Sequence, residues 1–176
     1  MAEPGEGISE KEKQLRSEIE IKKANGEIEQ VCELLEELID IISSEGGRFY
    51  EGPRFGDCQM ALTEVHMYYT RLNLYEAEKE ARSKNDIPAL ARCLKNLGDH
   101  FSTDSVAVAA IIRRTKNELN LAYDYYHDSI ELYRTIDELM NEYWALEGLK
   151  SLIRELSPEF PDDFDPYNPG LGTLFG

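Results

Sequence analysis

Apolar side chains recur at alternating spacings of three and four along most of this chain, and that period admits helices and little else. Ile21, Ala24, Ile28, Val31, Leu35, Leu38 and Ile42 form the first such stripe. Ser9 with Glu12 three residues on reads as a capping box opening the helix. Gly46-Gly47 reads as its end, where a residue in the left-handed conformation often follows. The spacing predicts a first helix over 9–44, weakened by about 1 kcal/mol at Asn25-Gly26, the cost of Gly relative to Ala inside a helix.

The same period returns in Ala61, Val65, Tyr68, Leu72 and Tyr75, with Asp57 as N-cap, and fades near Ser83-Lys84-Asn85. Asp86 then caps a short helix with Pro88 in its first turn and Leu90, Leu94 and Leu97 on its inner face, ending at Gly98. Ser102 to Ser105 offer caps for a final long helix carrying Leu119, Ala122, Tyr126, Ser129, Tyr133, Ile136, Met140 and Tyr143, with no Gly or Pro before Gly148. No strand-like alternation and no repeat of 20–50 residues interrupts this pattern. The expected fold is therefore all-α: a helical bundle of three long helices and one short helix over 9–156, after a flexible N-terminus at 1–8. The heptad-like spacing also suits a coiled coil completed by a second copy of the chain or by a partner. Past Ser157 the character changes. Pro158, Pro161, Pro166 and Pro169 exclude helix, so 157–176 reads as an extended Pro-, acid- and aromatic-rich tail.

Charge narrows the function classes. The 176 residues carry 35 acids against 19 bases, a formal net charge of -16. Direct binding of nucleic acid, which needs clustered Lys and Arg, is not expected. Nor is membrane insertion, since no apolar run approaches ~18 residues. Met1 to Glu12 lacks the apolar core of a secretory signal, and three scattered cysteines make no disulfide framework, so a reducing cytoplasmic setting is the expectation. The acids are concentrated: Asn25 to Gly47 holds seven and no base. Glu29, Glu33, Glu36 and Asp40 fall opposite the apolar stripe of the first helix, as a solvated face or as one that steers a basic partner.

Two further segments suit protein contact. The connection from Gly46 to Asp57 sets Arg48, Phe49, Tyr50, Arg54 and Phe55 among glycines, and Arg with aromatics is the chemistry of binding hot spots. The alternatives are that these aromatics cap the end of the core, or that the loop takes a small anionic ligand or stacks a nucleotide. In the tail, Phe160, Phe164, Tyr167 and Phe175 alternate with acids, as a recognition segment or as one that docks on its own bundle.

Catalytic signals are weak. Asp124, His127, Asp128 and Glu131 share one helix face and could supply metal ligands, with Glu64, His66 or His100 as distant candidates, but the doubled Glu-x-x-His motif of dinuclear bundles is missing. Glu33-x-x-Glu36 and Glu37-x-x-Asp40 overlap within one helix, without the second carboxylate pair that a magnesium-dependent pyrophosphatase needs. Cys32, Cys58 and Cys93 have no neighbouring His in sequence. No phosphate-binding loop, dinucleotide turn or nucleophile elbow is present. The pattern points to a non-enzymatic helical interaction module without a cofactor, serving as assembly subunit, adaptor or chaperone-like binder of a protein with a basic surface. Two alternatives stand beside it: a metal-dependent helical-bundle enzyme, and an acidic mimic of nucleic acid that occupies a nucleic-acid-binding protein.

Overall fold

A computed structural model of the chain describes residues 8–47, 52–102 and 116–156, and these form only helices and turns. Among the described residues there are six helices: α1 (Glu10–Asn25), α2 (Ile28–Ile42), α3 (Phe55–Ser83), α4 (Ile87–Phe101), α5 (Lys116–Thr135) and α6 (Leu139–Leu156). The periodicity alone predicts one bundle over 9–156. Its contacts group the chain into two compact units, Met1–Leu72 and Asn73–Gly176, with the boundary inside α3. The tail 157–176 lies outside the described residues.

In the first unit, the expected single helix over 9–44 is a hairpin. Gly26 takes φ 73°, its N–H bonds the Lys23 carbonyl, and the Glu27 N–H bonds the Lys22 carbonyl. This paired closure ends α1 and turns the chain, because the left-handed residue stops the helical ladder while satisfying its last carbonyls. α2 then packs along α1. The break also resets the register. Ile21 and Ala24 face solvent, and α1 buries Glu12, Leu15 and Ile19 instead. In α2 the predicted Val31, Leu35, Leu38 and Ile42 are all buried, joined by Cys32. Ser9 caps α1 as expected, its hydroxyl accepting from the Glu12 N–H at 3.2 Å. After α2 the chain makes a wide turn over Ser43–Gly47, and α3 begins at Phe55, which places Asp57 in its first turn. The α3 residues Cys58, Ala61, Val65 and Tyr68 are buried.

In the second unit, α3 closes at Asn85 and the final long helix breaks at Asp137, by the same geometry as at Gly26. Asn85 (φ 50°) and Asp137 (φ 56°) are left-handed, and the Asp86 and Glu138 N–H groups bond the Ala81 and Tyr133 carbonyls. Asn and Asp tolerate this region better than other non-glycine residues. Asp86 caps α4 by accepting from the Ala89 N–H at 3.1 Å, with Pro88 in the first turn. The break at Asp137 folds α6 back along α5, and α5 also packs along α4.

Tyr126 occupies the centre of this unit. Its ring is fully buried, and its hydroxyl donates to Asp99 Oδ1 at 2.6 Å. Gly98 of α4 and Gly148 of α6 flank the ring: a Cβ at either position would meet ring carbons at 2.8 Å or 2.7 Å. Gly98 therefore does not end α4, which continues to Phe101. It leaves the notch into which the ring fits, and Gly148 does the same inside α6. Ala122, Ile130, Tyr133, Leu94, Leu97 and Leu149 complete the core around it.

Gly98→Ala and Gly148→Ala are each expected to destabilise this unit by about 1–3 kcal/mol through overpacking against Tyr126. Helix propensity taken alone gives the opposite sign, a gain of about 1 kcal/mol. Urea unfolding followed by far-UV circular dichroism separates the two outcomes.

Candidate interaction surfaces

Arg54 precedes α3 and binds its own unit. Its Nη1 and Nη2 donate to Glu12 Oε2 and Oε1, both at 2.7 Å. It also pairs with Asp57 at 3.1 Å and with Glu45. Arg16 approaches the same Glu12 carboxylate from one helical turn away, at 2.8 and 2.9 Å. Glu12 is completely buried, a state open to a carboxylate only when it is paired and hydrogen-bonded. The Arg54 guanidinium, aided by Arg16, holds the Glu12 carboxyl down at about 2, against its ordinary 4.5 and against the opposing effect of burial. Glu12 in turn raises the Arg54 guanidinium. The network ties the first turn of α1, the wide turn and the start of α3 together. Of the other loop residues read as contacts, Phe55 opens α3 half-buried, whereas Arg48, Phe49 and Tyr50 lie outside the described residues.

The acidic face is formed as the spacing predicts. Glu29, Glu33, Glu36 and Asp40 are all exposed on α2, opposite its buried stripe. Tyr69 of α3 donates its hydroxyl to Glu36 at 2.7 Å, which pushes the phenol up to about 12. Glu37 on the same helix pairs with Lys11 at 2.8 Å. The tail aromatics Phe160, Phe164, Tyr167 and Phe175 lie outside the described residues.

The candidate metal ligands sit on one exposed stretch of α5. Asp124, Asp128 and Glu131 are exposed on α5, and His127 Nδ1 stands 3.8 Å from Asp128 Oδ1. Partial loss of hydration and then the neighbouring Asp128 raise the Asp124 carboxyl. His66 is on α3 and His100 on α4, where its ring meets Phe101 edge-on. Among the described residues, no three His, Cys, Asp or Glu side chains gather as a metal ion requires. At Cys93 the nearby Arg92 acts to lower the thiol, but burial outweighs it. Burial pushes the Cys32 and Cys93 thiols up, and nearby carboxylates add to the effect, which disfavours the nucleophilic thiolate. An open cleft of about 230 Å³ in the first unit is lined by Arg16, Lys23, Glu20 and Glu64 over Leu35 and Leu38. Lys23 is already paired with Glu20 and Glu64 across it.

A further surface is not foreseen by the periodicity. Met140 and Tyr143 were expected on the buried seam of the last helix, but the break at Asp137 rotates them outward. Leu139, Met140, Tyr143 and Trp144 are 74, 67, 51 and 56% exposed, and the Tyr143 and Trp144 rings meet edge-on at 5.2 Å. The signal in the sequence was the pair Asp137-Glu138, a residue tolerant of the left-handed region followed by a start of acids and apolars out of step with α5.

Replacing Arg54 by Met strands part of the Glu12 charge in the interior and is expected to cost about 3 kcal/mol, most of it recovered in Glu12→Leu/Arg54→Met. Because the Glu12 carboxyl is lowered on folding, its contribution is complete above pH 4.5 and is lost as pH falls toward 2. Unfolding midpoints measured across that range should slope less steeply in Glu12→Gln than in the wild type; equal slopes would exclude Glu12 as the titrating group. No protein-family model, curated protein or solved structure matches this chain.

Proposed function

We propose that this protein is a non-enzymatic interaction module, an assembly subunit, adaptor or chaperone-like binder whose acidic surface receives a basic partner protein. The observation that carries the reading is the outer face of α2. Glu29, Glu33, Glu36 and Asp40 all stand in solvent along about 16 Å of helix, on an element that carries no base at all. A row of like charges on a rigid helix concentrates field over one surface. Such a field accelerates encounter with an oppositely charged partner and screens it from acidic competitors. The lack of a convergent ligand cluster among the described residues, and the raised Cys32 and Cys93 thiols, give no comparable support to chemistry. No helix among the described residues is long and apolar enough to cross a membrane.

The neutral variant Glu29→Gln/Glu33→Gln/Glu36→Gln/Asp40→Asn preserves shape and hydrogen bonding, including the acceptor for Tyr69. Immobilised wild-type chain is expected to retain a basic protein from its native host's lysate that elutes as salt rises past ~0.15 M, where the Debye length is about 8 Å. The variant should associate with that protein at least about tenfold more slowly. Equal association rates at low salt would remove α2 as the steering surface.

A further inference from the structure

Helix α6 is apolar on two opposite sides. Ala145, Leu149, Leu152 and Ile153 are buried in the core of the second unit. Leu139, Met140, Tyr143 and Trp144 are exposed. At about 100° per residue these two sets fall on opposite sides of the helix. A helix that is apolar on two sides is ordinarily covered on both. Contiguous exposed apolar surface of this kind marks contact sites, and Tyr and Trp are the residues that most often dominate binding energy there. Met140 adds an unbranched side chain able to adapt to its partner.

The charges around this face select what can cover it. Residues 131–147 contain Glu131, Asp137, Glu138, Glu142 and Glu147 against a single base, Arg134. Arg134 is bonded to Glu142 at 2.5 Å, and Glu138 accepts from the uncharged Asn141 amide at 3.1 Å. The chain's own tail is long enough to reach back, but it brings Glu159, Asp162, Asp163 and Asp165 with no base. A second copy would bring the same acidic rim. Both would place like charges around an apolar contact, which is destabilising.

We propose that the Leu139–Met140–Tyr143–Trp144 face of α6 docks an amphipathic segment of another protein whose apolar side chains are flanked by Lys or Arg. This rests on the interaction-module reading and gives it a second surface, independent of α2. Apolar side chains cover the two aromatic rings, and the flanking cations meet Asp137 and Glu138 at the rim, where charge sets orientation and rate more than affinity.

Trp144 is the only tryptophan of the chain, so its fluorescence reports on this face directly. The probe is an 18-residue peptide of Leu and Lys patterned as an amphipathic helix, compared with its Leu and Glu counterpart, each titrated into the full chain. The Leu–Lys peptide is expected to shift Trp144 emission saturably to shorter wavelength and protect it from acrylamide, and the Leu–Glu peptide to do neither. Leu139→Gln/Met140→Gln/Tyr143→Gln leaves charge unchanged and replaces exposed positions only, so it should fold. It is expected to weaken the Leu–Lys peptide at least about tenfold. Equal binding by this variant, or equal response to both peptides, would overturn the proposal. So would Trp144 emission in the free protein that moves to longer wavelength in Phe160→Ser/Phe164→Ser/Tyr167→Ser/Phe175→Ser, which assigns the face to the tail, or on dilution, which assigns it to a second copy. Capture of a basic protein through α2 with no change at Trp144 would overturn this assignment and leave the α2 reading standing.

Discussion

Two left-handed residues, Gly26 and Asp137, divide what apolar spacing alone would join into longer helices, and a third, Asn85, closes α3 where the spacing already fades. Each lets the next N–H reach the carbonyl five residues back, closing the preceding helix on itself and reversing the chain within a few residues. Everything downstream of such a turn takes its rotational setting from it. The turn at Gly26 goes with Leu15 and Ile19, not Ile21 and Ala24, being the buried residues of α1. The turn at Asp137 decides which side of α6 meets α5, and so leaves Trp144 in solvent.

Two buried polar contacts then specify how the elements meet. In the first unit the Glu12 carboxylate, with no exposure of its own, accepts from Arg54 and Arg16. Apolar packing is non-directional, whereas a bidentate guanidinium–carboxylate pair has one good geometry. In the second unit Tyr126 fills the space between Gly98 and Gly148 with its ring and reaches Asp99 with its hydroxyl. Ring and notch are complementary, so a change in either is felt by both flanking helices. Neither contact involves the surfaces proposed for binding, which lie on the outward sides of α2 and α6.

Much of this could be read from the residues. The helical class, the caps at Ser9 and Asp86, the buried Val31, Leu35, Leu38 and Ile42, and the solvent face of Glu29 to Asp40 all follow from spacing and cap chemistry within one element. The readings that changed depend on residues with two common roles. Gly26 looked like a weak point inside a helix and is a reversal; Gly98 looked like a helix end and is an interior notch. Asp137 gave only a weak sign of a break, because Asp tolerates the left-handed region without requiring it. Arg54 was legible as an unusual residue beside aromatics. Its carboxylate partner lies 42 residues away, on a position that the capping pattern had assigned to a local bond.

The sequence by itself determined local periodicity, caps and charge distribution, because these depend on neighbours within a turn or two of the same helix. Hence the all-helical class and the acidic face of α2 were available without coordinates. Only the tertiary structure decided which glycine turns and which one packs, where Glu12 finds its cations, and that α6 exposes a second apolar face. Those outcomes depend on which distant side chain occupies the adjoining space, and a linear pattern carries no measure of that distance.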